Sequence, residues 1–216
     1  MTPPETGSET GPGAAPPPIR DAATVILLRR DQGDRARVLM GMRGRKAAFM
    51  ASKYVFPGGA VDPGDHDDAP ADPLLAREPR DGSDAAPAAI LGCARRELVE
   101  ETGLRLAPAA PFHFLFRAIT PPGRPRRFDA RFLVADAAGI EGDPDDFSAA
   151  GDELLHLHWV PLDEARGLDL PFITEVVLAE VGALAAAAGA GPLLPPRAVP
   201  FFDNRGPEPR FAWIGG

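Results

Sequence analysis

Three glutamates in one short segment have a spacing suited to binding a divalent cation. Glu97, Glu100 and Glu101 stand at positions i, i+3 and i+4, so a helix through them places all three carboxylates on one face. Like charges this close repel one another, and a divalent cation removes that penalty. Carboxylate oxygens are also the ligands that magnesium prefers. The spacing alone leaves two interpretations open, a metal site and a solvated acidic helix face.

The residues flanking the glutamates favour the metal site. The stretch 96–104 reads Arg-Glu-Leu-Val-Glu-Glu-Thr-Gly-Leu, and Phe-Pro-Gly-Gly lies upstream at 56–59. Both resemble parts of the Nudix box, the motif of the Nudix hydrolase family. In that motif a glycine, five residues, an acid and seven residues precede the Arg-Glu segment. Here Asp65 stands at the acid position, and 30 residues separate it from Arg96. The box therefore resembles one interrupted by 23 residues, and we expect this insertion, at about 66–88, to influence substrate choice.

The resemblance implies a magnesium- or manganese-dependent pyrophosphohydrolase that cuts a diphosphate linkage in a nucleotide-containing small molecule. In such a reaction the cation neutralises phosphoryl charge and activates water. The implied metal ligands are three carboxylates and one backbone carbonyl, namely Glu97, Glu100, Glu101 and Gly58.

Residues that orient the glutamates or take a proton from water are implied by the same resemblance. Arg96 matches the arginine that orients the glutamates through an ion pair, and Asp65 is its expected partner. In this family the general base comes from the box or from a distal loop. Glu100 is therefore one candidate base, and Glu153, in a Gly-Asp-Glu turn before a predicted strand, is the other. A solvated turn acid is the alternative interpretation of Glu153.

Several arginines are candidates for binding substrate phosphates, since the guanidinium group suits bidentate phosphate contacts. Arg43 ends a predicted strand, while Arg124, Arg126 and Arg127 crowd a proline-rich turn. We take Arg43, Arg124 and Arg127 as substrate-binding candidates. An exposed basic turn is the alternative for the second group.

Other reactive side chains fit ordinary structural roles. His156 and His158 share one face of a predicted strand, where a half-exposed surface is favoured over a second metal site. Cys93 lies four residues before Glu97 and is predicted to be a small buried thiol rather than a nucleophile. Phe211 and Trp213 pack against the domain or against a second subunit, and the sequence does not decide between these.

The hydrophobic pattern predicts an α+β fold, an α/β/α sandwich with a mixed β-sheet between helices. The Nudix-box helix is expected at about 88–102 with Gly103 as its C-cap, and a second long helix at 173–188. A short helical turn is expected near 74–75, inside the insertion, and another at 163–166. Strands are predicted at 22–28, 37–42, 54–56, 112–119, 128–135 and 154–160.

Composition shifts divide the chain into three parts: a flexible N-terminal tail at 1–19, a Nudix hydrolase domain at 20–190 and a C-terminal extension at 191–216. The last of these mixes proline, arginine and aromatic residues without a period.

Charge and cysteine content limit the partners. A net charge of −8 argues against nucleic acid, although a phosphorylated small molecule remains compatible if a bound cation supplies positive charge. The single cysteine fits a reducing compartment, and neither a signal peptide nor a membrane span is evident. We therefore expect a cytoplasmic protein that binds a nucleotide-diphosphate substrate, with a homodimer as an open alternative to a monomer.

The substrate itself is less constrained. The 56–65 segment, with Asp62 and Asp65, resembles the branch of the family that cleaves coenzyme A and its thioesters. The alternatives are ADP-ribose, a dinucleotide or a nucleotide sugar. A catalytically silent domain that senses a ligand is a further alternative, although all three metal-binding glutamates are kept.

Overall fold

The computed structural model describes residues 17–30, 35–44, 50–80 and 82–216. Most of the predicted N-terminal tail, residues 1–16, lies outside these ranges. Of the tail's last residues, Ile19 already belongs to the first strand, so the folded part begins slightly earlier than expected.

A large mixed sheet forms the centre of the described structure. The strands in chain order are β1 (Ile19–Arg30), β2 (Ala36–Arg43), β3 (Tyr54–Val55), β4 (Gly58–Ala60), β5 (Arg105–Leu106), β6 (His113–Ile119), β7 (Arg127–Asp136), β8 (Ile140–Glu141), β9 (Leu154–Pro161), β10 (Ala198–Asp203) and β11 (Arg210–Gly215). The main sheet has the order β11-β10-β6-β7-β1-β2-β3, with β4 also paired to β1 and β9 also paired to β2. Strands β5 and β8 form a separate two-stranded sheet.

Strand β1 lies at the middle of this sheet, which explains its almost continuous apolar run. It pairs in parallel with β7 from Ile19 to Leu28 and antiparallel with both β2 and β4. A strand covered on both faces has no solvent side, so alternation of polar and apolar residues is lost. The four residues Val25, Ile26, Leu27 and Leu28 are accordingly fully buried.

Helices cover both faces of the sheet, which confirms the α/β/α sandwich. Helix α2 (Pro87–Thr102) packs on one face and helix α4 (Phe172–Ala188) on the other. The short helices α1 (Pro73–Arg77) and α3 (Leu162–Ala165) lie at the predicted turns. Helix α2 ends at Gly103, whose φ of 76° is the left-handed conformation that glycine adopts most easily. The predicted helix boundaries are therefore correct to within a residue.

The insertion at about 66–88 begins and ends at the same place, beside the start of helix α2. The amide of Asp67 donates to the carbonyl of Ala88 across its base, at 3.0 Å. Next to this bond, the backbone of His66 lies against Gly92 so closely that a Cβ there would be 2.3 Å from the His66 nitrogen. The two ends of the insertion thus lie next to each other, so the extra residues form a closed loop. The start of helix α2 is not displaced from the strand that precedes it.

Buried contacts fasten the insertion to the sheet. Leu75 is 1% exposed within the core beneath helix α2. Glu78 lies between two fully buried arginines, 3.2 Å from Arg117 and 2.8 Å from Arg131. Asp129 completes the cluster through two hydrogen bonds from Arg117, at 2.9 and 2.6 Å. A buried guanidinium without a partner is costly, so these contacts indicate a stabilising role for the insertion in addition to the expected influence on substrate choice.

The C-terminal segment is part of the sheet, which the sequence did not predict. Strand β10 pairs in parallel with β6, and β11 pairs antiparallel with β10 at the sheet edge. Residues 191–216 therefore complete the sheet instead of extending from the domain. The apolar periodicity is weak because the edge strand β11 has only one buried residue, Ile214. No helix within the described ranges is long and apolar enough to cross a membrane.

Replacing Glu78 tests whether the insertion stabilises the fold. We expect Glu78→Ala to lower the free energy of unfolding by about 3 kcal/mol, because it removes a carboxylate shared by two buried guanidinium groups. Arg117 then keeps Asp129, and Arg131 keeps Asp21, as its carboxylate partner. The adjacent exposed residue provides the control, and Arg77→Ala should cost less than about 1 kcal/mol. Urea denaturation of both variants measures the difference. Equal stabilities for the two variants would contradict the stabilising role.

Candidate active site

Four segments distant in sequence form the candidate site. The second half of helix α2 carries the three glutamates, and the 58–65 segment runs alongside it. The end of strand β2 contributes Arg43, and the turn before β9 contributes Glu153. Sheet pairing brings the last two together, because β2 and β9 are antiparallel neighbours with Arg43 opposite Leu154.

Glu101 is the most buried of the three glutamates, with 3% of its surface exposed. One carboxylate oxygen, Oε2, accepts a hydrogen bond from the Gly58 amide at 2.8 Å. The other oxygen, Oε1, is buried and has no hydrogen-bond partner among the described residues. Burial raises the pKa of Glu101 to about 8, and the nearby charge of Glu97 adds to this shift. A buried carboxylate with one unsatisfied oxygen fits a cation ligand.

Glu97 lies against the backbone of the 58–60 strand. A Cβ on Gly59 would be 2.1 Å from its Oε1 atom, so any larger residue at that position requires the Glu97 carboxylate to move. Burial raises the pKa of Glu97, while a hydrogen bond from Arg96 at 2.7 Å opposes the shift. Glu97 and Glu101, one helical turn apart, thus face the same short strand. Their partial burial disfavours the charged form of both carboxylates unless a cation is near.

Arg96 joins the helix to the 58–65 segment, as the resemblance implied. Its guanidinium donates to both oxygens of Asp65, at 2.8 and 2.9 Å, and to the carbonyl of Ala60 at 3.0 Å. These hydrogen bonds lower the pKa of Asp65 and raise the pKa of Arg96. The expected Arg96–Asp65 pair therefore forms although the insertion separates the two residues in the sequence.

Glu100 is more exposed than its neighbours and contacts the same arginine, with Arg96 Nη1 at 3.1 Å from its Oε2. The guanidinium thus bridges Glu97 and Glu100. In the described part of the chain, no three acidic, histidine or cysteine side chains converge closely enough to form a finished metal site. The unsatisfied Glu101 oxygen and the nearby Glu97 carboxylate nevertheless fit a divalent cation, and Glu100 lies on the exposed side of the same helix.

Glu153 and Arg43 both lie beside the glutamate helix. Their side chains form an ion pair at 3.6 Å, and the amide of Gly44 donates to the Glu153 carbonyl at 3.4 Å. Burial is the largest cause of the raised pKa values of Glu97 and Glu101, and the charge of Glu153 makes a smaller contribution in the same direction. Arg43 has the opposite effect on Glu101. The structure thus brings together two residues that the sequence suggested independently.

The arginines of the proline-rich turn lie elsewhere. Arg127 is buried and donates to the carbonyls of Thr120 and Asn204, both at 2.9 Å, so it fastens the C-terminal segment and is withdrawn as a substrate-binding candidate. Arg127 pairs with Ile19 on β1, whereas Gly58 pairs with Thr24. At roughly 3.3 Å per residue, these positions are about 16 Å apart along the strand. Arg124 is exposed in the same turn, at the same end of the sheet.

The two histidines lie where strand β9 is irregular. A bulge in β9, where the pairing shifts between Met40 and Met42, interrupts the alternation, and His156 has a positive φ of 52°. Both histidines are exposed. Cys93 is the buried thiol that was predicted, donating to the Gly59 carbonyl at 3.5 Å, and burial raises its pKa to about 12.

Two features of the site were not predicted. Arg95, beside Arg96, forms an ion pair with Asp67 and donates to the backbone carbonyls that follow the helix. Gly151 donates its amide to the carbonyl of Glu100 at 2.9 Å. Two consecutive arginines in the sequence, Arg95 and Arg96, could have indicated the ion pair of Arg95. The second feature is a backbone contact that no side-chain pattern reveals.

The structure is an α/β/α sandwich in which three glutamates of one helix lie beside the glycine-rich 58–65 segment. A family model described as the NUDIX domain matches residues 83–179, beginning after the 58–65 segment. No curated protein sequence matches the chain. Residues 83–179 therefore match a NUDIX domain, and the comparisons support a pyrophosphohydrolase that acts on nucleoside-diphosphate-linked small molecules.

Solved structures agree with this assignment. A NUDIX hydrolase from Alicyclobacillus acidocaldarius is 25% identical, with 84% of this chain and 100% of that chain covered at a TM-score of 0.59. The Nudix hydrolase RenU from M. smegmatis is 19% identical, with 82% and 90% covered at a TM-score of 0.51. A MutT protein from Methanosarcina mazei Go1 is 16% identical, with 79% and 98% covered at 0.51. The last two likenesses concern the fold.

The close approach of Gly59 to Glu97 gives a direct test of the site. We expect Gly59→Ala to lower kcat/KM by about 100-fold, because the new methyl group must displace the Glu97 carboxylate by an ångström or more. Gly64, in the same segment, is the matched control since a Cβ there has nothing within 4 Å. Steady-state kinetics of both variants, with circular dichroism to verify folding, decide the matter. Comparable activity in Gly59→Ala and Gly64→Ala would show that the Glu97 position is unimportant.

Proposed function

We propose that the protein hydrolyses the diphosphate linkage of coenzyme A or an acyl-coenzyme A, with Mg²⁺ as its cofactor and Mn²⁺ as a substitute. The observation that supports the cofactor is the buried, unsatisfied Oε1 of Glu101 beside the Glu97 carboxylate. The substrate proposal rests on the resemblance of the 56–65 segment, since Arg127 is occupied elsewhere and Arg124 is remote. ADP-ribose, a dinucleotide or a nucleotide sugar is the second candidate.

Each residue of the site has a proposed role. Glu97, Glu100, Glu101 and the Gly58 carbonyl hold the cation, which supplies charge neutralisation and a more acidic water. Arg96, fixed by Asp65, keeps the glutamates in position. Glu153 accepts the proton of the attacking water, with Glu100 as the alternative base. Arg43, beside Glu153 and partly exposed, binds a substrate phosphate.

Two further proposals concern the setting of the protein. A cytoplasmic location is supported by the single cysteine, which is buried and unpaired. A homodimer is supported by the exposed aromatic pair of the edge strand β11, where Phe211 and Trp213 contact each other edge to face at 5.7 Å. Neither nucleic acid nor a membrane is proposed as a partner.

The metal assignment is tested by replacing Glu101. Glu101→Gln keeps an acceptor for the Gly58 amide but removes the charge, so the fold should persist. We expect Mn²⁺ affinity to fall at least about 100-fold, with a comparable or larger loss of kcat, as measured by calorimetric titration and kinetics. Glu175→Gln, on an exposed turn of helix α4, is the control and should match the wild type. Unchanged Mn²⁺ binding in Glu101→Gln would refute the assignment.

A substrate panel distinguishes the candidate activities. Coenzyme A, acetyl-coenzyme A, ADP-ribose, NADH and a nucleotide sugar are incubated with Mg²⁺ or Mn²⁺, and the products are separated by chromatography. We expect adenosine 3′,5′-bisphosphate from coenzyme A, and no product after chelation with EDTA. AMP from ADP-ribose or NADH alone would favour the second candidate. Nucleotide binding without turnover across the panel would instead indicate a silent ligand sensor.

The proposed phosphate contact is tested by comparing two arginines. Arg43→Ala should raise KM for the hydrolysed substrate by about 10-fold or more, as expected when a charge-assisted hydrogen bond is lost. Arg124→Ala should leave kcat and KM within about two-fold of the wild type, because its turn lies far from the glutamates. An increase in KM confined to Arg124→Ala would reverse the assignment.

A further inference from the structure

The loop between β8 and β9 folds back onto the end of helix α2. The amide of Gly151 donates to the carbonyl of Glu100 at 2.9 Å. The last four carbonyls of a helix have no partner within the helix, and here the carbonyl of Val99 is satisfied by the Gly103 amide. The loop therefore satisfies the next carbonyl along the helix, which belongs to one of the proposed metal ligands.

Two glycines permit this approach of one backbone to another. A Cβ on Gly151 would lie 2.6 Å from the Glu100 carbonyl oxygen, the same atom that accepts its hydrogen bond. A Cβ on Gly103 would lie 3.0 Å from the carbonyl carbon of Ala149. Gly151 is not among the residues with a positive φ, so alanine is compatible with its backbone conformation. The requirement for glycine at this position is therefore steric.

Glu153 follows two residues later, and its side chain has little packing of its own. Its carboxylate is exposed, with Arg43 at 3.6 Å as its ion-pair partner. Its carbonyl accepts from the Gly44 amide at 3.4 Å, a long hydrogen bond. The position of this carboxylate is consequently set by the backbone that leads to it, and the shortest backbone contact to the glutamate helix is the one at Gly151.

We propose that Gly151 is a positioning residue: its contact with the Glu100 carbonyl fixes the distance between Glu153 and the metal-binding face of helix α2. This inference rests on the proposed role of Glu153 as the base. Restoring a contact of 3.4 Å after adding a Cβ requires a loop shift of about 0.8 Å. Displacement of a catalytic group by about 1 Å reduces the rate by about 100-fold, while binding of the substrate elsewhere in the site is unaffected.

The test is a double-mutant cycle of Gly151→Ala and Glu153→Gln, on the substrate that the wild type hydrolyses in the panel. We expect Gly151→Ala to lower kcat by about 100-fold with KM changed less than three-fold. In the Glu153→Gln background the same change should have no further effect, because the group that it misplaces is already lost. Gly191→Ala, which brings a Cβ to 3.2 Å from the Ala188 carbonyl far from the site, is the control and should match the wild type.

Amide hydrogen exchange of the 147–153 segment provides a readout independent of catalysis. The Gly151 amide should be protected in the wild type and in Glu153→Gln but not in Gly151→Ala. Equal protection in wild type and Gly151→Ala, or full additivity in the cycle, would overturn the positioning role. A wild-type kcat in Glu153→Gln would overturn it as well, by removing the base, while leaving the hydrolytic activity established. Absence of turnover in the wild type would instead refute the proposed function.

Discussion

The structure around helix α2 depends on the cost of placing two carboxylates side by side where little water reaches them. Glu97 and Glu101 are mostly buried and lie near each other, and burial raises the pKa of both. The chain offsets this cost in part, with the Gly58 amide directed at one carboxylate and the Arg96 guanidinium at the other. The Glu101 oxygen that remains without a partner is the position at which a cation adds most to stability.

Contacts of the two arginines beside Glu97 explain how the motif accommodates an insertion. Neighbouring arginines on helix α2 each bind an aspartate at the start of the insertion: Arg96 binds Asp65, just before it, and Arg95 binds Asp67, just inside it. The base of the insertion is closed by the Asp67–Ala88 hydrogen bond. These contacts at the base of the insertion thus fix the position of the 58–65 segment relative to the glutamates. What lies beyond is free to differ in length, provided that it supplies partners for the arginines that it buries.

Local patterns predicted those parts of the molecule whose determinants are close in sequence. Helix α2, its Gly103 cap and the Arg96–Asp65 pair followed from spacing and from the motif. Strands β10 and β11 did not: the edge strand β11 buries only Ile214, and the short apolar run of β10 contains Pro200, which argues against an inner strand. The role of Arg127 was misjudged for a related reason, since an arginine in a proline-rich turn has the same local sequence whether it is solvated or bound to carbonyls of Thr120 and Asn204.

Long-range backbone contacts determine the parts of the site that the sequence did not predict. They bring residues outside the motif next to the glutamates. The glutamates lie on one helix, whereas Arg43 ends strand β2 and Glu153 lies in the turn before β9. Pairing of these two strands brings the two residues together. Sheet pairing fixes the positions of strand residues, but it does not fix the positions of residues in the connecting loops. The contact between Gly151 and the Glu100 carbonyl supplies that missing constraint, at a place where the helix has a carbonyl without an internal partner. The precision of the proposed site therefore depends as much on the absence of a side chain at Gly151 as on the carboxylates themselves.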